Sequence, residues 1–252
     1  MNNQKPNKGV GLIYRYHKLN HSSPWSWRLI LKPSCASTEI ELSKWIAEKP
    51  VKQNQPIAIF SSCQRFGKGQ AGRIWHAPKG GVWVSAAIKR DGRCENNSQL
   101  YGLAVALALV ERIERLGVNV KIKWPNDLLV DGQKLAGILP RLSFRGRKLR
   151  LLRVGVGLNV FNNVPKEGIS LKQVVGEKNM NIHFWSSEVL HAIERSLDFL
   201  DNKNFLCSQV EQRLWSKKYI DKETGYEWDI KGLDSSGRLV LLKDDKEKVL
   251  ST

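Results

Sequence analysis

Residues 120–139 have the sequence VKIKWPNDLLVDGQKLAGIL, and the prediction of the fold starts from this stretch. Two apolar runs, 128–130 and 134–139, flank the pair Asp131-Gly132. An Asp-Gly pair in this position predicts a two-residue β-hairpin turn, because both turn residues need a positive φ angle. Upstream, Pro125 fixes a turn in which Asn126 and Asp127 can satisfy their own backbone. The stretch therefore predicts neighbouring antiparallel strands with polar side chains at a turn.

Helices and strands are both predicted around this hairpin. Helices are predicted at 37–47, with Thr38 as N-cap and Glu41 completing a capping box, at 100–116, with Gly117 as the stop, and at 184–200. Strands are predicted at 57–60, 82–88 and 149–160 and in the tail 225–242, with a turn at 234–237. This mixture without strict alternation favours an α+β fold with an antiparallel or mixed sheet. Residues 1–35 show only weak hydrophobic periodicity, and the sequence indicates no role for Trp25 or Trp27.

Length and composition predict a soluble, cytoplasmic, reduced protein. The chain has 252 residues, enough for one large domain or two unequal ones. Its four cysteines (Cys35, Cys63, Cys94 and Cys207) are scattered, which argues against a disulfide scaffold and a C-x-x-C zinc site. The longest apolar run, 103–110, has eight residues. A membrane-spanning helix needs about 20.

The net charge of +17 raises the question of an acidic partner. The densest basic run lies at 141–153 and includes Arg147. No helix-turn-helix and no aromatic-rich RNA-binding signature accompanies it. A solvated basic surface is the simplest interpretation, with an acidic macromolecule or a nucleic acid as alternatives.

A glycine-rich segment, GKGQAG at 67–72, satisfies the G-x-G-x-x-G pattern. A dinucleotide-binding fingerprint requires a helix opening at the third glycine, and the following PKGG at 78–81 argues against one. Successive glycine N–H groups can still form an anion-binding concavity, and Lys68 and Arg73 add positive charge. The alternative is an ordinary mobile loop.

Two further strands carry candidate ligand contacts. Lys134 opens the apolar return arm of the hairpin, where it is either a solvated edge charge or a cation reaching inward to an anion. Gly155 and Gly157 alternate in the strand before Asn159. Glycines in a strand indicate close approach of another group, either a packed element or a ligand.

Taken together, these segments resemble the biotin–protein ligases. QRFGKGQAGRIW at 64–75 resembles the family's biotin- and nucleotide-binding loop, and KWPND at 123–127 with KLAGIL at 134–139 matches its most specific signature. GVGLNV at 155–160 resembles its G-x-G-x-N strand, and ASTE at 36–39 resembles its D-S-T-N helix start. The resemblance runs from about residue 37 to residue 160.

The resemblance implies a class II synthetase-like catalytic domain over residues 1–215 and a small, shortened SH3-like β domain over 216–252. It implies that biotin attacks the α-phosphate of ATP to give biotinyl-5′-AMP. A lysine of a biotin carboxyl carrier domain, that of acetyl-CoA carboxylase, then accepts the biotin. Mg²⁺ is implied by the triphosphate, and no metal-ligand cluster is visible. The family allows a homodimer. About 35 residues precede Ser37, too few for the DNA-binding domain of regulatory members, so neither DNA nor membrane binding is expected.

The resemblance also assigns residues. Lys134 would be the catalytic donor that bridges the biotin carboxylate and the phosphate, and Asp127 would orient the incoming amine. The implied biotin-binding residues are Ser37, Thr38, Gln64, Lys68, Gly69, Gln70, Lys134, Gly137 and Gly155. The implied nucleotide-binding residues are Arg73, Trp75, Asn126 and Asn159.

Four positions depart from the family pattern. Gln70 replaces an arginine and loses its charge, and Lys68 replaces another and loses the bidentate fork. Glu39 stands where the family has asparagine, and Ala36 stands where it has aspartate. The loop changes predict weaker retention of the adenylate, and Glu39 predicts a different recognition of the ureido ring. Gln70, Glu39 and the short tail also motivate one alternative, a degenerate homologue that binds biotin or nucleotide without efficient turnover. The other alternative is a lipoate or octanoyl transferase relative, which shares the fold.

Overall fold

The structure of the protein is a computed structural model that describes residues 8–92, 98–146, 148–178, 180–221 and 223–251. Cys94 and Arg147 lie outside the described residues. The strands are β1 (Arg28–Lys32), β2 (Ile57–Ser61), β3 (Gln64–Lys68), β4 (Ile74–Ala77), β5 (Val82–Gly92), β6 (Lys121–Lys123), β7 (Asp127–Val130), β8 (Gln133–Arg145), β9 (Lys148–Leu158), β10 (Lys218–Ile220), β11 (Glu227–Leu233), β12 (Leu239–Lys243) and β13 (Lys246–Leu250). The helices are α1 (Lys8–Asn20), α2 (Thr38–Glu48), α3 (Ser98–Glu114), α4 (Leu171–Val175), α5 (Ile182–Asp201) and α6 (Lys203–Gln212).

A mixed sheet organises the larger part of the chain, before the C-terminal tail. Within the described residues, seven strands follow the order β1-β2-β5-β9-β8-β7-β6. β1 and β2 are parallel, and each of the other neighbouring pairs is antiparallel. The α+β prediction with a mixed sheet is therefore confirmed.

The predicted turn chemistry is confirmed at the central hairpin and beyond α3. Asp131 and Gly132, which join β7 to β8, have φ angles of 48° and 80°. Gly117 has a φ of 77°, as expected of a residue that ends a helix. α3 ends at Glu114, however, so the predicted boundary at 116 was wrong. The Gly117 N–H bonds to the Glu114 carbonyl, a tighter i→i−3 closure that ends the α-helix early.

The main core lies between one face of the sheet and helices α3 and α5. α3 is buried around its whole circumference, from Gln99 to Val110. A helix that is apolar on all sides needs cover on all sides, and α5 packs against α3 in addition to the sheet. A smaller core on the opposite face joins α2 to β2, with Leu42, Ile57 and Ile59 buried there.

The start of α2 differs from the prediction by one residue. Ser37, not Thr38, is the N-cap, and its hydroxyl accepts a hydrogen bond from the Glu39 N–H. Thr38 is the first helical residue and uses its hydroxyl for other partners, described below. The capping interaction predicted through Glu41 was wrong because Glu41 pairs with Lys32 instead.

Residues 8–32, which carried little sequence signal, form α1 and β1. Trp27 is 2% exposed, and its indole N–H donates to Glu194 on α5 over 2.6 Å. Burial raises the pKa of Glu194, but hydrogen bonds from His17, His191 and Ser23 outweigh burial and lower the pKa to about 2. This buried polar network attaches α1 and its following segment to α5.

The tail forms a small antiparallel sheet in the order β10-β11-β12-β13. The predicted turn at 234–237 joins β11 to β12, with the Gly237 N–H bonded to the Asp234 carbonyl over 2.8 Å. No helix follows the glycine-rich segment: a 3₁₀ turn at Gln70–Gly72 leads into β4. Among the described residues, no helix combines the length and the apolar character that a membrane span requires.

Candidate functional site

The candidate site is a cavity of about 130 Å³ that crosses four strands of the sheet. Ser85 on β5 is in register with Gly155 on β9. Gly157 is in register with Gly137 on β8, and Gly137 with Asp127 on β7. Because side chains alternate along a strand and Val154, Val156 and Leu158 face the α3 core, Gly155 and Gly157 face the opposite side. The cavity therefore lies on the face of the sheet that α3 does not cover.

One end of the cavity is neutral and polar. The Thr38 N–H donates to Gln64 Oε1 over 2.8 Å, and the Thr38 hydroxyl donates to the same atom over 3.1 Å. Thr38 Oγ1 also lies 2.9 Å from Ser85 Oγ. Ser37 precedes this group at the start of α2. Hydroxyl and amide groups retain further donor and acceptor capacity, so this end can recognise an uncharged polar ligand group.

The other end is charged. Lys134 Nζ lies 2.7 Å from Asp127 Oδ1. The segment that carries Asp127 is fixed to β8, because the Asn126 amide donates to the Ile138 carbonyl over 2.8 Å and the Ile138 N–H donates to the Asn126 carbonyl. The hairpin turn brings Lys134 back beside Asp127. An ammonium group held there can donate hydrogen bonds to an anionic ligand.

The Trp75 ring occupies the space that a side chain would need at two of the glycines. A Cβ added at Gly157 would lie 2.6 Å from the Trp75 ring, and one added at Gly137 would lie 2.8 Å from it. The indole therefore lies against the paired glycines of β8 and β9, with its centroid 4.9 Å from Lys134 Nζ. Its Nε1 has no hydrogen-bond partner among the described residues. Gly155 has no contact of this kind, since a Cβ there would meet Leu139 at an ordinary 3.5 Å.

The glycine-rich segment is a hairpin that covers one side of the cavity. β3 and β4 pair, and between them the Gly69 N–H donates to the Arg73 carbonyl over 2.7 Å. Ala71 and Gly72 both have left-handed φ angles, 54° and 74°. The Arg73 side chain donates through Nε to the Gln70 carbonyl over 3.1 Å. Lys68 and Arg73 are exposed, so they add positive charge to the rim.

Glu39 lines the cavity and has basic partners on the sheet. Its carboxylate accepts a hydrogen bond from Arg153 on β9, and Arg141 on β8 lies 3.8 Å away. Arg153 also donates to Ser43 over 2.6 Å. Two members of the basic run at 141–153 thus neutralise a carboxylate beside the site.

Asn159 lies apart from the first cavity. Its side-chain amide donates to the Lys134 carbonyl over 3.2 Å and its Oδ1 accepts from Asn162 over 3.0 Å. It lines an adjoining cavity of about 210 Å³, which shares Lys134 and Trp75 with the first. The structure thus brings together every other site residue proposed from sequence around one cavity and places Asn159 at its neighbour.

A larger groove, of about 580 Å³, opens on the side of the C-terminal sheet. It shares Gln70, Arg73, Asn126 and Asp127 with the first cavity. Its walls also include residues of all four strands of that sheet, β10 to β13, and the stretch that precedes β10. A second molecule can therefore approach Asp127 from this side.

Sequence reasoning missed Ser85 and the partners of Glu39. Ser85 is a single polar residue in the apolar strand VWVSAAI, and that interruption was the available signal. The pairing of Glu39 with Arg153 spans 114 positions and had no local signal. Among the described residues, no group of three or more His, Cys, Asp or Glu side chains is placed to hold a metal ion.

Comparison with known proteins gives consistent matches. A family model described as the biotin/lipoate A/B protein ligase family matches residues 42–159. Biotin–protein ligase 2 of Arabidopsis thaliana is 32% identical over 238 residues, which cover 86% of this chain and 70% of that protein. Biotin–protein ligase 1, chloroplastic, of the same organism is 32% identical over 240 residues, covering 87% of this chain. The chain spans 63% of the length of that second relative.

The fold has a counterpart among solved structures. The biotin protein ligase from Aquifex aeolicus in complex with biotin and ATP superposes with a TM-score of 0.72 at 23% identity. The match covers 88% of this chain and 95% of that one. At this identity the match shows a shared fold.

Proposed function

Because the chain belongs to the biotin/lipoate A/B protein ligase family, in which its matched relatives are biotin–protein ligases, we propose that it attaches biotin to a lysine of an acceptor protein at the expense of ATP. The reaction has two steps. The biotin carboxylate attacks the α-phosphate of ATP, forming biotinyl-5′-AMP and releasing pyrophosphate. The acceptor amine then attacks the acyl carbon and releases AMP.

The observation that carries the proposal is the bipolar cavity. Thr38, Gln64 and Ser85 form its neutral polar end, and the Lys134–Asp127 pair forms its charged end. Ser85 and Asp127 lie on strands three positions apart in the sheet, roughly 14 Å at the usual strand spacing. Biotin has the matching polarity, with an uncharged ureido ring at one end and a carboxylate at the other. Ser37, Gly137 and Gly155 complete the proposed biotin site along this path.

Lys134 is the proposed catalytic donor. In the first step, negative charge is shared between the carboxylate and the α-phosphate oxygens. A cation held in place beforehand stabilises this charge without reorganising. Asp127 holds the Lys134 ammonium within 2.7 Å, which fixes the position of the donor before substrate arrives.

The β3–β4 hairpin is the proposed cover of the intermediate. Lys68, Gly69 and Gln70 would lie over the adenylate, and Arg73 would face the phosphates. Excluding water matters because an acyl-adenylate hydrolyses readily. Gln70 offers no charge to the phosphate, so we expect the cover to hold the intermediate less tightly than an arginine would.

The nucleotide is proposed to bind beside Trp75. Trp75 lines both the first cavity and its neighbour, whereas Asn126 lines the first and Asn159 the second. The described residues offer no dedicated metal site. We therefore expect Mg²⁺ to arrive as part of the substrate MgATP, with oxygen ligands from the triphosphate and water.

The second step needs access to the adenylate and an oriented amine. The large groove shares Asp127 with the cavity and is the proposed entry for the acceptor. The Asp127 carboxylate can accept a hydrogen bond from the amine and aim its lone pair at the acyl carbon. A C–N bond forms, the bond between the acyl carbon and the AMP oxygen breaks, and the proton that the amine loses passes to water.

The finer assignments are also proposals. We take residues 1–215 as the catalytic domain and 216–252 as the small β domain, and a biotin carboxyl carrier domain of acetyl-CoA carboxylase as the acceptor. A homodimer and the absence of DNA binding stay predictions.

Transfer to a carrier domain tests this function. The protein is incubated with biotin, MgATP and a recombinant biotin carboxyl carrier domain, and the mass of that domain is measured. We expect a gain of one biotinyl group, and no gain when the acceptor lysine is replaced by arginine. Transfer of lipoate in place of biotin would favour the lipoate transferase alternative. Binding of biotin with no transfer would favour a degenerate homologue.

A further inference from the structure

The turn between β11 and β12 packs against the catalytic part of the chain, and one of its carbonyl groups accepts two hydrogen bonds from that part. The Gly237 carbonyl accepts a hydrogen bond from the Trp124 indole N–H over 3.0 Å and another from the Gln99 side-chain amide at the start of α3. Both acceptor positions of this carbonyl are thus used. Its partners belong to the catalytic part of the chain, although Gly237 itself belongs to the tail.

The turn is built to hold that carbonyl in place. The Asp234 carboxylate accepts hydrogen bonds from the N–H groups of Ser236 and Arg238, both over 2.9 Å, and from the Arg238 guanidinium over 2.7 Å. Gly237 has a φ of 76°, which favours glycine. A Cβ there would also lie 2.9 Å from Leu103 on α3, so the turn packs closely against the catalytic part.

Trp124 connects this turn to the charged end of the cavity. It stands three residues before Asp127, whose carboxylate lies 2.7 Å from Lys134 Nζ. Between them, Asn126 is fixed to β8 by its bonds with Ile138. The segment 124–127 is therefore held by the turn of the C-terminal sheet at Trp124, and by β6 and β8, with which Asp127 pairs.

We propose that Trp124 is a positioning residue whose hydrogen bond to the Gly237 carbonyl couples the C-terminal sheet to the Asp127–Lys134 pair. The inference rests on the proposed function, because it assigns that pair to adenylation. When the bond is present, the segment places Asp127 where it fixes Lys134. When the bond is lost, the segment keeps its pairing with β6 and β8, but the Asp127 carboxylate samples wider positions.

The test compares Trp124→Phe with wild type in biotin-dependent exchange of labelled pyrophosphate into ATP. The substitution keeps an aromatic ring and removes the N–H donor. Loss of this partly buried hydrogen bond predicts a decrease in kcat of up to about tenfold, with the KM for biotin within about twofold. Trp27→Phe is the control, because it removes an indole donor from the α5 contact, and its kcat should stay within about twofold of wild type.

A second variant perturbs the same contact from the side of the turn. Arg238→Ala removes an exposed partner of Asp234 and should loosen the turn, lowering kcat in the same direction. Because both changes act through Gly237, the double variant should lose less than the product of the two single losses. If Trp124→Phe does not accumulate as folded protein, Arg238→Ala tests the coupling alone. A decrease in its kcat supports the coupling.

An unchanged kcat in Trp124→Phe or in Arg238→Ala contradicts the coupling. A double variant whose decrease in kcat equals the product of the two single decreases also contradicts it. A wild-type protein with no exchange at all would instead contradict the proposed function.

Discussion

Replacing Lys134 with alanine is the most informative single change. It removes the ammonium that lies 2.7 Å from Asp127 and 4.9 Å from the centre of the Trp75 ring. Losing one preorganised neutral donor to a developing oxyanion costs about 10²–10³ in rate. Hydrogen bonds from charged donors are roughly twice as strong. We therefore expect kcat for adenylation to fall by at least about 10³-fold, which corresponds to about 4 kcal/mol of transition-state stabilisation.

The same change should cost little stability. The Lys134 and Asp127 side chains are 33% and 15% exposed, so water replaces part of the lost interaction. A partly exposed ion pair contributes about 1 kcal/mol. For a chain of this size, that loss lowers Tm by roughly 2–4 °C.

The Lys32–Glu41 pair offers a matched control, since its side chains are 39% and 16% exposed and it does not line the cavity. Lys32→Ala should lower Tm by a similar amount and leave adenylation unchanged. The assay is pyrophosphate exchange at saturating biotin and MgATP, with a thermal melt of each sample. If Lys134→Ala keeps more than about a tenth of the wild-type rate, Lys134 is not the catalytic donor.

Three further predictions concern retention, the nucleotide site and pH. Gln70→Arg should slow release of biotinyl-AMP by about tenfold, because it restores a charge facing the phosphate; equal release rates measured by rapid filtration would refute this. Gly157→Ala should raise the KM for ATP by about tenfold and lower Tm, because the added methyl group displaces the Trp75 indole; unchanged kinetics would place the nucleotide elsewhere. The pKa of Glu194 falls to about 2 on folding, so its contribution to stability is present above about pH 4.3 and is lost as pH falls towards 2. Melts of Glu194→Gln should therefore show a shallower acid decline than wild type, and an identical decline would assign the acid sensitivity to other groups.

Turn residues made the central hairpin predictable. The residue pair Asp131-Gly132 is enough to predict the turn, because few residue pairs tolerate consecutive positive φ angles. The end of α3 was predictable to within one turn through Gly117, and the residual error came from the i→i−3 bond that ends the helix at Glu114. Residues 8–32 were not predicted, because α1 buries only Ile13 and His17 and one of these two is a polar histidine.

The candidate site was predictable as a set of residues but not as an arrangement. The motifs identified residues that line the cavity, but they did not predict which side chains contact each of them. The close approach predicted at the alternating glycines is made by Trp75 at Gly157, and by no close neighbour at Gly155. That difference depends on the path of the β3–β4 hairpin, which no local pattern encodes. The pairing of Glu39 with Arg153 depends in the same way on sheet register.

Biotin-dependent exchange of labelled pyrophosphate into ATP, with Mg²⁺ and without acceptor, tests the central claim most directly. Exchange requires the carboxylate to attack the α-phosphate reversibly at this site, which is the step assigned to the Lys134–Asp127 end of the cavity. The proposal predicts exchange that depends on biotin and is not supported by lipoate. Folded protein that binds biotin but shows no exchange would contradict the claim and favour a degenerate homologue, whereas exchange with lipoate alone would move the protein to the lipoate transferases.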